Sequence, residues 1–428
     1  MRADRRADVV VTDASGNHAL AVVRSLGGRG LRVAAADSVW CAKAFFSRYC
    51  ARRIVYPSPA RSVREFRAAL YGMLETLRPA VLMPMTERTI MALADERLQV
   101  EARVGALPLP SPDALRTAFD KGETVRLATS LGIPVPATVS LADPGELERV
   151  RPQLSYPAVI KPRMSERWVD GDAVVSTGPV EYCFRPEELP ARYLAVHRRA
   201  PLPLIQEFIP GEGYGVSALC RHGCVRALFA HRRLRMIRPT GSGSALRESV
   251  TVPPRMMEAT CRLLEALKWH GVAMVEFKLD RRDGVPRLME INGRFWNSLP
   301  LAVAAGVDFP FLLYRLATEG DVPECFDYRA GVKCRWLVGD ARQLVEVLRG
   351  KPAQWTDGFP SRREAVRQFM KFLGPDLHYD DPWLSDPLPF FADVADLLLR
   401  QVPRFVWRRR RLAVEGPSRV QLARGRTL

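Results

Sequence analysis

The feature that most restricts this chain is a pair of apolar stretches that each carry an acidic residue, 271-GVAMVEFKLD-280 and 288-LMEINGRFWNSLPLA-302. Glu276 stands between Val275 and Phe277, where a lone carboxylate is costly to bury without a partner. Read as strands joined by the turn 281-RRDGVP-286, the two stretches form a hairpin-like pair that sets Glu276 beside Glu290. Residues two apart in a strand share a face, so Glu290, Asn292 and Arg294 converge on one spot. Paired carboxylates repel unless a cation lies between them, and magnesium fits: it is a hard ion that takes carboxylate and amide oxygens and completes its shell with phosphate. A solvated strand end followed by an Asn-Gly turn is the competing reading.

The rest of the chain narrows the setting. Its 428 residues suffice for two or three domains, and 47% hydrophobic content is ordinary for a globular protein. No apolar run reaches the length of a membrane span and MRADRRADVVV has no apolar signal core, so the expected location is cytoplasmic. The eight Cys are scattered, and Cys220 and Cys224 around His222 lack the second half of a zinc site; reduced thiols are expected. The net charge of +17 is partly local, since residues 401–428 hold eight Arg against one Glu. Elsewhere the basic residues are not interleaved with aromatics, so nucleic acid is not an expected partner.

The N-terminal segment 8-DVVVTDASGNHALAVVRSLGGRGLRVAAAD-37 alternates a β-branched strand, a turn, an apolar-periodic helix and a second strand, the start of a parallel α/β unit. Only Gly16 stands where the G-x-G-x-x-G fingerprint would be needed, which excludes a nicotinamide site. A further strand, 80-AVLMPM-85, leads into Thr86 and Glu87 at a helix start; capping is the favoured role for both, with ligand contact as the other. Prolines near residue 110 mark a boundary. Beyond it come a helical stretch from Pro112 to Leu131, a strand in 157-PAVIKP-162 and a loop over 163-RMSERWVDGDA-173. Strands follow at 203–209 and 215–234, then a Gly/Ser loop at 239–244, a helix from Arg255 to Lys268, the two acidic strands and a helix from Phe309 to Thr318.

This arrangement resembles the ATP-grasp superfamily over about residues 1–320. The resemblance implies an α/β fold, α+β in the two grasping lobes. A Rossmann-like domain would occupy residues 1–110, an ATP-grasp domain 111–325, and a C-terminal extension with an Arg-rich tail 326–428. Lys121 in 119-FDKGETVRLA-128 and Lys161 in 158-AVIKP-162 match the family's nucleotide lysines, which neutralise phosphates as point charges. The segment 206-QEFIPGEGYGVS-217 matches the interlobe linker, so Gln206, Glu207, Phe208 and Ile209 would meet the adenine. Many relatives carry a ribose-binding Glu where Gly213 stands, and Glu212 is the substitute this chain offers. Glu276, Glu290 and Asn292 match the magnesium ligands, with manganese an alternative ion. Arg294 matches the arginine that stabilises charge on the transferring phosphoryl group.

The stretches 230–250 and 295–310 are similar to carbamoyl-phosphate-synthase-like proteins and to carboxylate–amine ligases such as D-aspartate ligases. There Arg232, Arg233 and Arg235 are either anion receptors or a solvated strand face. The implied reaction is ATP-dependent activation of a carboxylate to an acyl phosphate, then attack by an amine or a thiol. A nucleotide-binding scaffold without turnover is the alternative. The segment 390-FFADVADLLLRQVPRFVWRRRRLAV-414 combines an apolar face, aromatics and four consecutive Arg; it either packs back on the protein or meets an anionic membrane surface.

Overall fold

A computed structural model describes residues 7–398 apart from positions 242 and 356. The basic tail, including Val402, Phe405 and Trp407, lies outside the described residues, and with it the membrane-surface expectation. Among the described residues no single helix is long and apolar enough to cross a membrane.

The chain begins with four parallel strands, β1 (Val9–Val11), β2 (Val33–Asp37), β3 (Cys50–Val55) and β4 (Val81–Met83), in the order β3-β2-β1-β4. Val9 to Val11 and Val33 to Ala36 are buried, as expected of a sheet covered on both faces. The carboxyl ends of β1, β2 and β4 deliver Thr12, Asp13, Asp37 and Met85 to one edge. Helix Glu87–Ala94 starts at that edge, and the Thr86 side chain accepts a hydrogen bond from Thr89 N.

Next come β5 (Thr138–Ser140), β6 (Ala158–Lys161), β7 (Glu166–Val169), β8 (Ala173–Ser176), β9 (Glu181–Cys183) and β10 (Leu204–Glu207). Four of these form an antiparallel sheet in the order β5-β10-β6-β9, while β7 and β8 pair only with each other. Residues 163–173, expected as a loop, are therefore largely a hairpin arm. Asp170 and Gly171 take φ of 49° and 70° in its three-residue tip, left-handed values that Asp and above all Gly tolerate. The tip is fastened to the N-terminal unit: Ser62 Oγ donates to Asp172 Oδ2 at 2.8 Å, and Val63 N donates to Asp172 O at 2.7 Å.

The third sheet holds β11 (Gly211–Arg221), β12 (Cys224–Met236), β13 (Ser244–Val250), β14 (Gly271–Asp280), β15 (Pro286–Asn292), β16 (Lys333–Arg335) and β17 (Leu377–Tyr379), in the order β15-β14-β11-β12-β13-β16-β17. All its pairs are antiparallel except β16 with β17. Both faces are covered, so the alternation of β11 divides between two cores. Val216, Ala218 and Cys220 join the core with helix Pro254–Ala266, whereas Leu219 joins Trp296, Leu299 and Phe309. Strands β16 and β17 come from the C-terminal part of the chain, which thus extends the same sheet.

The helical stretch expected from Pro112 to Leu131 is two helices, Pro112–Phe119 and Lys121–Ser130. Asp120 breaks it: at ψ 110° it leaves helical space, and its Oδ1 accepts from Gly122 N and Glu123 N at 2.7 and 3.2 Å, capping the second helix. The break puts Lys121 in the first turn of that helix.

Candidate functional site

Glu276 on β14 lies directly opposite Glu290 on β15, and Met274 opposite Asn292. The register slips just beyond: Phe277 faces Leu288, leaving Met289 as an extra residue. This bulge turns both Met289 and Glu290 toward one cavity, as bulges beside functional sites re-aim side chains. Asn292 Nδ2 donates to Glu276 Oε1 at 3.1 Å, and Arg294 Nη2 donates to Asn292 Oδ1 at 3.1 Å. Arg233 is ion-paired with Glu276.

The two lysines reach the same place from the other lobe. Lys121 Nζ is 3.6 Å from Glu290 Oε2 and 3.2 Å from Ser165 Oγ at the base of the hairpin arm. Lys161, at the end of β6, is 6% exposed. Its burial, reinforced by the Lys121 ammonium, pushes its pKa down to about 8. Burial opposes ionisation of Glu290, but Lys121, Lys161, Arg233 and Arg294 together outweigh it and hold that carboxyl below its ordinary range. The group is therefore rich in positive charge around two carboxylates, an arrangement suited to a polyanion with a divalent cation.

Of Arg232, Arg233 and Arg235 on β12, Arg233 faces the cavity. Arg232 pairs with Glu248 at 2.8 Å and Arg235 with Asp340 at 2.8 Å, both away from it. Arg233 reaches inward across Gly213, where a Cβ would stand 3.1 Å from Arg233 Cδ. Gly213 thus leaves room for the guanidinium. Glu212 lines the cavity with its side chain 56% exposed, and its Oε2 lies 3.4 Å from Tyr214 Oη and 3.9 Å from an Arg232 nitrogen.

The cavity, of about 390 Å³, runs from Lys121 and Glu290 to an apolar end lined by Phe208, Ile209, Tyr182 and Trp355. Gln206, Glu207, Phe208 and Ile209 all border it. The first two are held by their side chains, Gln206 Nε2 donating to Thr138 Oγ1 at 2.9 Å and Glu207 pairing with Arg282 at 2.7 Å. Lys278 Nζ donates to Ile209 O at 2.8 Å and lies 5.0 Å from the Phe208 ring centroid, so the linker is fixed to β14.

The N-terminal sheet edge closes on the charged end. Burial raises the pKa of Glu87 to about 7 despite Lys121 and Arg294, and its Oε1 is buried without a hydrogen-bond partner among the described residues. Capping by backbone belongs to Thr86, so the Glu87 carboxyl is left for the site. His18 stacks over Gly16, its Nδ1 2.8 Å from Asn297 Oδ1; burial and Arg294 lower its pKa to about 4. Sequence reasoning took Glu87 as a cap and passed over His18. The strand-end position of Glu87 was the available signal, whereas His18 gave none.

Comparison with known proteins agrees with this geometry. Residues 199–339 match the family model described as ATP-grasp in the biosynthetic pathway with Ter operon. The chain is 27% identical over 159 residues to a D-alanine–D-alanine ligase of Marinomonas sp. (strain MWYL1), a match spanning 35% of this chain and 47% of that protein. Less than half of that relative's length is therefore covered. Among solved structures, biotin carboxylase from Campylobacter jejuni superposes with a TM-score of 0.61 at 14% identity, over 77% of this chain and 74% of that one. L-amino acid ligase from Bacillus licheniformis superposes at 0.56 and 18% identity, over 74% and 75%. The strand order, the paired acidic strands and these likenesses lead to one assignment: the chain has the ATP-grasp fold, and its residues 199–339 match an ATP-grasp family model.

Proposed function

We propose that the chain is an ATP- and magnesium-dependent ligase that activates a carboxylate as an acyl phosphate for attack by an amine. The observation that carries this reading is the meeting of Lys121, Lys161 and Arg233 with Glu276 and Glu290 at one end of a cavity whose other end is apolar, with Arg294 acting on Glu290 from beside it. Charge at one end suits a triphosphate and an apolar end suits a base. The biotin carboxylase noted above was solved as a β-γ-ATP complex, and the other two relatives are named as ligases.

The donors fit a hard divalent cation. Among the described residues no three carboxylate, thiol or imidazole groups gather, so Glu276, Glu290 and the Asn292 amide oxygen would hold magnesium, or manganese, with nucleotide and water supplying the rest. Bound there, the ion would neutralise phosphate charge. Lys121 and Lys161 would position the phosphates, and Arg294 would steady the negative charge that builds as the substrate carboxylate oxygen bonds the γ-phosphorus and ADP departs. The amine nitrogen then attacks the acyl carbon, phosphate leaves, and the amine sheds a proton. Glu87, with its carboxyl titrating near neutrality beside Arg294, would be the group to take it.

The test is ADP release with magnesium against pools of amino acids and organic acids. Turnover should appear with one carboxylate–amine pair and fall at least about tenfold in Lys161→Met, which removes a buried ammonium from the phosphates. ATP binding with no ADP release in any pool would instead assign the chain as a nucleotide-binding scaffold.

A further inference from the structure

One wall of the cavity comes from outside the two lobes. After helix Leu337–Arg349 the chain crosses the apolar mouth, where Gln354 Nε2 donates to Glu188 Oε1 at 2.7 Å on one lobe and Asp357 Oδ1 meets Arg281 Nη1 at 3.1 Å on the other. Between these two ties, Trp355 is turned inward and is only 5% exposed. Its ring meets three others edge-to-face: Tyr182 at 5.1 Å, Phe208 at 5.7 Å and Phe184 at 6.3 Å between centroids. Phe208 belongs to the interlobe linker, so the indole sits against the part of the chain that the nucleotide reading gives to the base.

One fact distinguishes a binding wall from a packing residue. The cavity that Trp355 lines keeps about 390 Å³ with the indole in place, so the ring borders the space rather than filling it. An aromatic wall at the apolar end of such a cavity suits a flat ring.

We infer that Trp355 is a base-binding residue, closing the base subsite with its ring. This rests on the reading of the cavity as a nucleotide site. It gives the C-terminal segment a function in ligand recognition, and it makes the tie between Gln354 and Glu188 and that between Asp357 and Arg281 the supports that hold the indole over the base.

The experiment compares ATP with inorganic tripolyphosphate, which offers the charge without the base, by calorimetric titration of the full chain in magnesium buffer. Trp355→Leu removes the aromatic ring, whereas Trp355→Phe keeps one. ATP affinity should fall about tenfold in Trp355→Leu and less in Trp355→Phe, while tripolyphosphate affinity stays within about twofold of wild type. Equal losses for ATP and tripolyphosphate would show a merely structural strap and overturn the inference. So would an unchanged ATP preference in a Trp355→Leu protein whose thermal melting matches wild type; the nucleotide reading itself would then stand. A wild-type chain that binds neither compound would overturn both.

Discussion

Two of the buried charge clusters among the described residues are satisfied in different ways. In the C-terminal clamp the groups mostly answer one another, with Arg247 Nε and Asp381 Oδ2 left without a hydrogen-bond partner among the described residues. Arg24 donates to Asp386 Oδ2 at 2.9 Å and to the backbone oxygens of Asp380, Asp381 and Asp386. Arg247 meets Asp380 at 2.8 Å, and Lys43 meets Asp381 at 3.1 Å and Asp393 at 3.4 Å. Asp381 is the strained member: burial and the neighbouring Asp393 and Asp380 raise it to about 7 even beside Lys43. At the candidate site Lys121, Lys161, Arg233, Glu276 and Glu290 line a cavity instead. Lys161 is lowered to about 8, and beside Arg294 His18 is lowered to about 4 and Glu87 raised to about 7. Burial is the leading cause of all three shifts. A cluster closed on itself joins segments of the chain, whereas one open to a cavity is held ready for a ligand.

The largest effect expected from this contrast is on stability, in the clamp. Asp386→Ala strands the Arg24 guanidinium, whose side chain is 2% exposed, and also removes the acceptor of Ser47 Oγ and Arg48 N. Loss of one partner of a buried pair costs about 3–5 kcal/mol, read as a shift of the urea midpoint, with ATP affinity of the folded protein unchanged. A shift below about 1 kcal/mol would mean that the clamp is not a joint of this kind.

At the site the order of effects reverses. Glu290→Gln removes one of the two carboxylates that would hold the cation while keeping the side chain's size, so magnesium-dependent ADP release should fall about 100-fold, roughly 2.7 kcal/mol, with little change in melting temperature. Near-normal turnover with a marked drop in stability would make the acidic strands structural and erase the contrast.

The smallest effect is pH-dependent. The folded pKa of Glu87, about 7, lies above the ordinary 4.5, so the folded protein binds more protons between those values and stability falls as pH rises through them. Glu87→Gln should therefore unfold at higher urea than wild type at pH 8, by on the order of 2 kcal/mol, with the difference vanishing near pH 4.5. A variant with the same urea midpoint as wild type at pH 8 would show that Glu87 is not confined as described.

Much of the site was legible because its signals are local. A carboxylate inside an apolar strand, a second one on the next strand and a short Asp-Gly turn between them leave few pairings, and Glu276 does face Glu290. The hairpin arm over residues 163–177 carried a readable signal that was passed over, the Asp170-Gly171 pair. The bulge at Met289 had none, since a register slip depends on how two strands twist against their neighbours. Arg232, Arg233 and Arg235 look alike in the sequence. Their partners Glu248, Glu276 and Asp340 separate them, and the last of these is more than a hundred residues away.

The sequence by itself determined the parallel start of the chain, the absence of a glycine fingerprint and the residue types that gather at the charged end, because each depends on residue type and spacing over a few neighbours. Tertiary structure alone decided that Trp355 walls the apolar end, that Glu87 and His18 reach Arg294, and that Asp380 to Asp393 clamp the first helix. Burial and the meeting of residues hundreds of positions apart set these. Both act through desolvation and contact, quantities that a residue acquires only when the rest of the chain has closed around it.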